Sequence, residues 1–294
     1  MLRLAVRVRR DAAELVLAEL LELAPSGVEE VDIDTETVEY AVYGPSGEIP
    51  SLPALRGVAG GALVELLSTE VADDWADRWR EFHRPLVLGD RLAVRPPWEP
   101  MQNTALDLVI DPGRAFGTGA HATTRLCLEL LLDLPLPVRT GPLARTDAPA
   151  PAAIDLGCGS GVLAIAAAKL GHGRVLALDH DQLAVDATIE NAAVNGVAEL
   201  IETRRFNLLD EPVPPAPLVL ANLLAPLLLA WSATMAATAT MAATAHRWII
   251  ASGLLEPEAD LVSQAIGAHG YRERRRLLSG EWAALLLESP DHDG

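Results

Sequence analysis

Two carboxylates, a run of three glycines and one amide are spaced along this chain as if to hold a ligand and act on it. Asp155-Leu-Gly157-Cys-Gly159-Ser-Gly161 follows a short apolar run. Glycines in such a turn let the main chain approach a ligand closely and adopt conformations barred to other residues. Asp179 ends the next apolar run, eighteen residues after Gly161. A carboxylate there can accept hydrogen bonds from both hydroxyls of a ribose. Asn222 stands in Ala-Asn222-Leu-Leu-Ala225-Pro226, again where an apolar run ends. An amide in that place can hold a substrate, or can serve only for the turn conformation that Asn tolerates. Residues 111–124, DPGRAFGTGAHATT, add three glycines and one histidine, His121. A single histidine without partner ligands at metal spacing gives no reason to expect zinc.

The glycine spacing separates two kinds of cofactor. A dinucleotide fingerprint reads G-x-G-x-x-G and sets a helix N-terminus on a pyrophosphate. Here the spacing is G-x-G-x-G, Asp155 stands just ahead of it, and no G-x-x-x-x-G-K-[ST] phosphate loop occurs. D-x-G-x-G-x-G resembles the S-adenosylmethionine loop of class I methyltransferases, which favours methyl transfer over hydride transfer. The resemblance implies that the loop faces the methionine portion of that cofactor and that Asp179 holds its ribose. Asp181 reads as the cap of the next helix. His180 and His172 read as loop and turn residues.

These residues need strands and helices to position them. LRLAVRV alternates with a period of two and reads as a strand. A helix, AAELVLAELLELA, follows with Asp11 as its expected cap. GVEEVDID and ETVEYAVYG read as strands, Leu52–Val58 as a short helical piece, and ALVELLSTE as a fourth strand. Strand–helix–strand–strand–helix–strand predicts a small ferredoxin-like α+β domain over residues 1–70. Residues 71–100 read as a connector. Trp75, Trp79 and Phe82 fall there at helical spacing, beside His83, and read as packing between domains. PLVLG and RLAVRPP suggest a hairpin around Gly89–Asp90. Residues 101–294 form the second domain. TTRLCLELLLDL is a helix with Thr123 or Thr124 as its cap, and residues 135–153 read as a surface loop. From Ala153 on, strands ending at Asp155, Asp179 and Asn222 alternate with helices, and YRERRRLL and EWAALLLES close the chain as two strands. That alternation predicts an α/β fold, a doubly wound, mostly parallel sheet with an antiparallel C-terminal edge.

Composition narrows the partners. The formal net charge is -18 and half the residues are hydrophobic. A surface this acidic disfavours nucleic acid and favours a basic partner. Cys127 and Cys158 are the only cysteines, which suits a reducing compartment, and the N-terminus reads as a strand, not as a signal peptide. Residues 216–245 carry no charge, but Pro217, Asn222 and Pro226 interrupt them. They read as a strand, a loop and a helix carrying a six-residue duplication, Ala233–Thr238 and Ala239–Thr244, so no membrane span is expected. A cytoplasmic enzyme is the resulting expectation.

DPGRAFGTGAHATT, DLGCGSG, ALDHD, ANLLA and SGLLE occur in this order. Together they resemble the PrmA family, the methyltransferases of the eleventh large-subunit ribosomal protein. F-G-T-G-x-H-x-T-T is the most discriminating of these marks, and Ala120 and Ala122 depart from the residues that members commonly carry. The resemblance implies that Phe116, Gly117, Thr118 and Gly119 approach the cofactor from the side opposite Asp155, Gly157, Gly159 and Gly161. It implies contact of His121 with cofactor or substrate, beside which a purely structural histidine stands as an equal reading. It further implies that the N-terminal domain recognises the ribosomal protein, and that an α-amine and lysine side chains are methylated. The Asn222 side-chain oxygen and the Leu223 carbonyl are the groups expected to accept the amine's hydrogens, with Asn222 also near the cofactor. The alternatives are another amine substrate, or a non-catalytic binding module on the same scaffold.

Overall fold

The computed structural model describes residues 2–24, 28–44, 49–70, 84–112, 121–135, 151–239 and 246–289. Trp75, Trp79, Phe82 and His83, most of the 135–153 loop, the second copy of the duplication after Ala239, and Phe116, Gly117, Thr118 and Gly119 lie outside the described residues. The chain divides into two compact units, one ending before Arg84 and one running from Arg84 onward.

The first unit comprises β1 (Leu2–Arg9), α1 (Ala13–Leu23), β2 (Glu29–Asp32), β3 (Thr37–Gly44), α2 (Leu52–Ala59) and β4 (Leu63–Glu70). The strands pair antiparallel in the order β2-β3-β1-β4, which is the expected ferredoxin-like arrangement. Period-two alternation explains the core: Leu4, Val6 and Val8 of β1 and Val38, Tyr40 and Val42 of β3 bury one face with Val16, Leu20 and Leu55. Across the other face Arg7 pairs with Glu39 at 2.7 Å and with Glu65 at 2.6 Å. Asp11 does not cap α1. Residues Arg10–Ala12 form a short 3₁₀ turn, the N-cap is Ala12, and the Asp11 carboxylate pairs with Arg9 at 3.2 Å instead.

The second unit opens with β5 (Leu86–Leu88), β6 (Leu92–Arg95) and β7 (Leu106–Val109). β5 and β6 form the expected hairpin; β7 adds parallel to β6. Leu88, Leu92, Val94, Leu108 and Ile110 share one core with α3 (Ala122–Asp133), so this small sheet packs with the second unit. The main sheet follows: β8 (Ala153–Leu156), α4 (Val162–Lys169), β9 (Val175–Asp179), α5 (Gln182–Val194), β10 (Ile201–Arg205), β11 (Leu218–Asn222), α6 (Ala225–Ala239), β12 (Trp248–Leu255), α7 (Glu256–Gly267), β13 (Arg272–Ser279) and β14 (Trp282–Glu288). Its order is β10-β9-β8-β11-β12-β14-β13. The first five strands in that order are parallel, and β14 is inserted antiparallel between β12 and β13. One face of the sheet is covered by a core that includes α3 and α4, the other by a core that includes α6 and α7. The strand order reverses between β8 and β11. In open α/β sheets, ligands bind beyond the carboxyl ends of the strands at such a point. No helix among the described residues is long and apolar enough to cross a membrane.

Candidate active site

Asp155, the third residue of β8, is almost fully buried. Its Oδ2 accepts the N–H of Ala164 in α4 at 2.9 Å, while Oδ1 is buried with no partner among the described residues. Burial pushes its carboxyl up to about 7; the Ala164 N–H opposes that, and the nearby Asp179 charge adds to it. The turn after β8 follows from its glycines. Gly157, Gly159 and Gly161 all have positive φ, at 71°, 52° and 80°. A Cβ on Gly157 would collide with the Leu223 side chain, and one on Gly161 would lie 2.8 Å from Thr188 Cγ2. Cys158 between them is buried, and burial raises its thiol, so it stays neutral. Asp179 reaches back across this turn: Oδ2 accepts the Gly159 N–H at 2.9 Å and Oδ1 the Asp181 N–H at 3.0 Å. A carboxylate has about four acceptor positions, so both oxygens keep capacity for a ligand. Asp181 caps α5 as expected, its Oδ1 accepting from Leu183 N at 2.9 Å.

Beside this turn β11 ends at Asn222. The Asn222 Nδ2 donates to Thr124 Oγ1 at 3.4 Å, and Oδ1 is buried without a partner among the described residues. Thr124 thereby fixes the orientation of the amide. Leu223 N donates to Ser252 O at 3.0 Å, continuing the ladder between β11 and β12 past the strand end. Gly253, at φ 81°, lies against the next peptide: a Cβ there would come within 2.5 Å of the Leu223 carbonyl oxygen. The Leu223 carbonyl therefore owes its place to a glycine.

His121 is the N-cap of α3, a role expected of Thr123 or Thr124. Its Nδ1 lies 2.8 Å from Thr123 Oγ1 and 3.4 Å from Thr123 N. The ring stands edge-on to Trp282, centroids 4.8 Å apart, and burial lowers its pKa. Thr123 and Thr124 instead lie buried in the first turn, which frees Thr124 to brace Asn222. His180 is an exposed loop residue as expected, but His172 is buried.

A cleft of about 400 Å³ opens next to Asp179, lined by His180, Arg205, Phe206, Asn207 and Glu211. Phe206 N donates to Asp179 O at 2.7 Å, which ties the end of β10 to the end of β9. Sequence reasoning passed over Phe206 and Asn207. The available signal was an aromatic and an amide directly after a third strand. It also passed over Gly253 and Thr124 as supports of the Asn222 loop.

A glycine turn after the first strand at the switch point, in a sheet with an antiparallel strand inserted near its edge, defines the class I methyltransferases that use S-adenosylmethionine. Residues 60–290 match the family model described as Ribosomal protein L11 methyltransferase (PrmA). The chain belongs to that family. It is 40% identical over 232 residues to the ribosomal protein L11 methyltransferase of Pelotomaculum thermopropionicum, covering 78% of this chain and 70% of that one. Its identity to the protein of that name from Synechococcus sp. (strain RCC307) is 37%, over 97% of this chain and 88% of that one. The fold is similar to a crystal structure of ribosomal protein L11 methylase from Lactobacillus delbrueckii subsp. bulgaricus, with TM-score 0.55 and 28% identity. That match covers 71% of this chain and 98% of that one.

Proposed function

We propose that this enzyme methylates amines of ribosomal protein L11, lysine side chains and the N-terminal α-amine, through the site built on Asp155, Asp179 and Asn222. The single observation that carries this reading is the Asn222 Oδ1: a buried acceptor at a strand end beside the glycine turn, with no partner among the described residues. Such an atom needs a donor to offset its burial, and an amine N–H is one.

The residues around the turn fit S-adenosylmethionine. Asp155 and Asp179 have no arginine or lysine ion pair among the described residues, and one Asp155 oxygen is buried unpartnered. A cation offsets that charge. Gly157, Gly159 and Gly161, all at positive φ, let the turn present its main chain to a ligand. In this reading Asp155, Gly157, Gly159 and Gly161 hold the methionine portion, Asp179 the ribose, and the cleft at Phe206 and Asn207 the adenine. Phe116, Gly117, Thr118 and Gly119 complete the site from the family resemblance. When bound, the cofactor supplies a methyl group already activated by its sulfonium.

The chain's own task is to deliver a neutral amine. A lysine amine titrates near 10.4 and an α-amine near 8, so each must shed a proton before it reacts. Burial beside the strand end disfavours the ammonium and assists that loss. Asn222 Oδ1 and the Leu223 carbonyl then accept the two remaining hydrogens and leave the lone pair free. Positioning of this kind supplies most of what a transfer to an activated methyl group requires. His121 serves by holding the start of α3, and with it Thr124, in place. The first unit recognises the ribosomal protein, and the reaction runs in the cytoplasm, consistent with two buried free cysteines.

The test is to incubate the purified protein with methyl-labelled S-adenosylmethionine and unmethylated L11, then map the label by mass spectrometry. Label on L11 amines is the expected result. Unlabelled L11, with label on another protein or a small amine, would overturn the substrate. S-adenosylmethionine binding without any transfer would favour the binding-module alternative.

A further inference from the structure

Helix α5 presents three polar side chains on one buried face, at positions i, i+3 and i+7: Thr188, Asn191 and Asn195, the last being its C-cap. None is more than 9% exposed. Their hydrogen bonds go mainly to main-chain groups outside the helix. Thr188 Oγ1 donates to Gly159 O at 3.1 Å. Asn191 Nδ2 donates to Ser160 O at 2.9 Å, and its Oδ1 accepts the N–H of Asp111 at 3.0 Å. Asn195 Oδ1 accepts the Val109 N–H at 3.0 Å, and its Nδ2 donates to Val109 O at 2.6 Å and to Asn191 O at 2.8 Å. One helix face therefore holds both the glycine turn and the chain leaving β7.

Alanine or leucine at these positions would avoid the desolvation of three polar groups. Buried polar networks of this kind specify one arrangement when every member is satisfied. The arrangement specified here is the spacing between two main-chain segments that are far apart in sequence. Asn191 is the residue that touches both, one end of its amide on each.

We propose that Asn191 is a positioning residue for the cofactor site, setting the glycine turn against the segment at Asp111 so that S-adenosylmethionine meets a preformed cradle. Thr188 and Asn195 support it by fixing Gly159 on one side and Val109 on the other. This rests on the reading of the 155–161 turn as the cofactor site. The role lies in binding and not in the transfer step, because Asn191 sits behind the turn and reaches no reacting atom.

The experiment compares parent, Asn191→Ala and Asn191→Asp. Calorimetric titration with S-adenosylmethionine is combined with steady-state kinetics on L11, and circular dichroism and thermal melting check folding. Asn191→Asp keeps an acceptor for the Asp111 N–H and loses the donor to Ser160 O at constant volume. Cofactor affinity should fall at least tenfold in Asn191→Ala and by a smaller factor in Asn191→Asp. The kcat at saturating cofactor should stay within threefold of parent in both. A folded Asn191→Ala with parental affinity, or a loss in kcat at unchanged affinity, overturns the proposal. Should Asn191→Ala not fold, Asn191→Asp decides by the same two criteria. A parent protein that does not bind S-adenosylmethionine would overturn the cofactor reading together with this inference; equal binding by parent and variants overturns the inference alone.

Discussion

At the scale of single residues the proposed site rests on two buried oxygens, Asp155 Oδ1 and Asn222 Oδ1, that have no partner among the described residues. Asp155 is ordinarily a carboxyl of about 3.8, and burial moves it to about 7. The sign follows from linkage. Between those values the folded protein keeps a proton that the unfolded chain has released, so folded-state stability falls as pH rises from about 4 to 7. The full span corresponds to on the order of 4 kcal/mol. Asp155→Asn removes that dependence. Without cofactor, the variant should melt above the parent at pH 8, with the difference closing toward pH 4, while losing measurable S-adenosylmethionine binding. A thermal-shift series over pH checks this; parallel curves would mean that Asp155 is ionised throughout. The cofactor side of the same argument gives parental affinity that weakens as pH drops through 7, because only the ionised carboxyl attracts a cation. The other oxygen, Asn222 Oδ1, is the one proposed to accept from the amine. Asn222→Ala should lower kcat by about two orders of magnitude, comparable to losing one well-placed polar group in a dry site, and leave cofactor affinity within a few-fold. Normal turnover on L11 in that variant would remove Asn222 from the chemistry.

At the scale of elements, the strand ends and the backbone between them do the placing. Gly253 illustrates it: any side chain there would meet the Leu223 carbonyl, and its φ of 81° is unfavourable for an L-residue. Gly253→Ala costs about 1–2 kcal/mol in backbone conformation alone. Its larger effect should be a displaced carbonyl, read as a fall of at least tenfold in kcat with cofactor binding nearly unchanged. Equal losses in both would indicate general disruption of β12. The glycines at 157, 159 and 161 and the acids at 155 and 179 were legible in the sequence because their roles restrict residue type. Glycine suits a positive-φ turn, and the ribose-binding role proposed for a strand end calls for a hydrogen-bond acceptor. The ferredoxin-like order and the doubly wound sheet were legible from periodicity, since each buried face repeats an apolar spacing. The His121 cap was hidden, because two threonines beside it are better cap formers and histidine is not a preferred one. Asn191 and Asn195 were hidden because polar residues on a helix read as a solvated face, whereas here they bury against main chain. The four-residue β7 is too short to show a period, and its ion pair, Asp107 with Arg95 at 2.9 Å, joins residues from separate segments.

At the scale of the molecule, the chain divides into two compact units, to which we assign different tasks. Residues 1–70 carry five basic and thirteen acidic side chains, yet no constellation of groups suited to catalysis. Their own core of Leu4, Val6, Tyr40, Leu20 and Leu55 supports a separately folded unit. The residues proposed for cofactor and amine all lie beyond Asp111. A unit with no chemistry of its own and a negative surface is suited to holding a basic protein, so that one of its amines remains at high effective concentration near the methyl donor. Deleting residues 1–70 should therefore leave S-adenosylmethionine affinity within a few-fold of the full chain, because the glycine turn, Asp179 and their supporting helices remain. Methylation of L11 should fall by orders of magnitude, because the amine must then arrive by unaided collision. Raising the salt concentration should weaken the full chain's KM for L11 far more than its affinity for cofactor, since exposed charges are screened and a buried carboxylate is not. Both binding and transfer are measured on one truncated protein whose fold is verified by circular dichroism. Full activity on L11 in that protein would assign substrate recognition to the second unit. Loss of cofactor binding despite an intact fold would mean that the first unit helps to form the cofactor site itself.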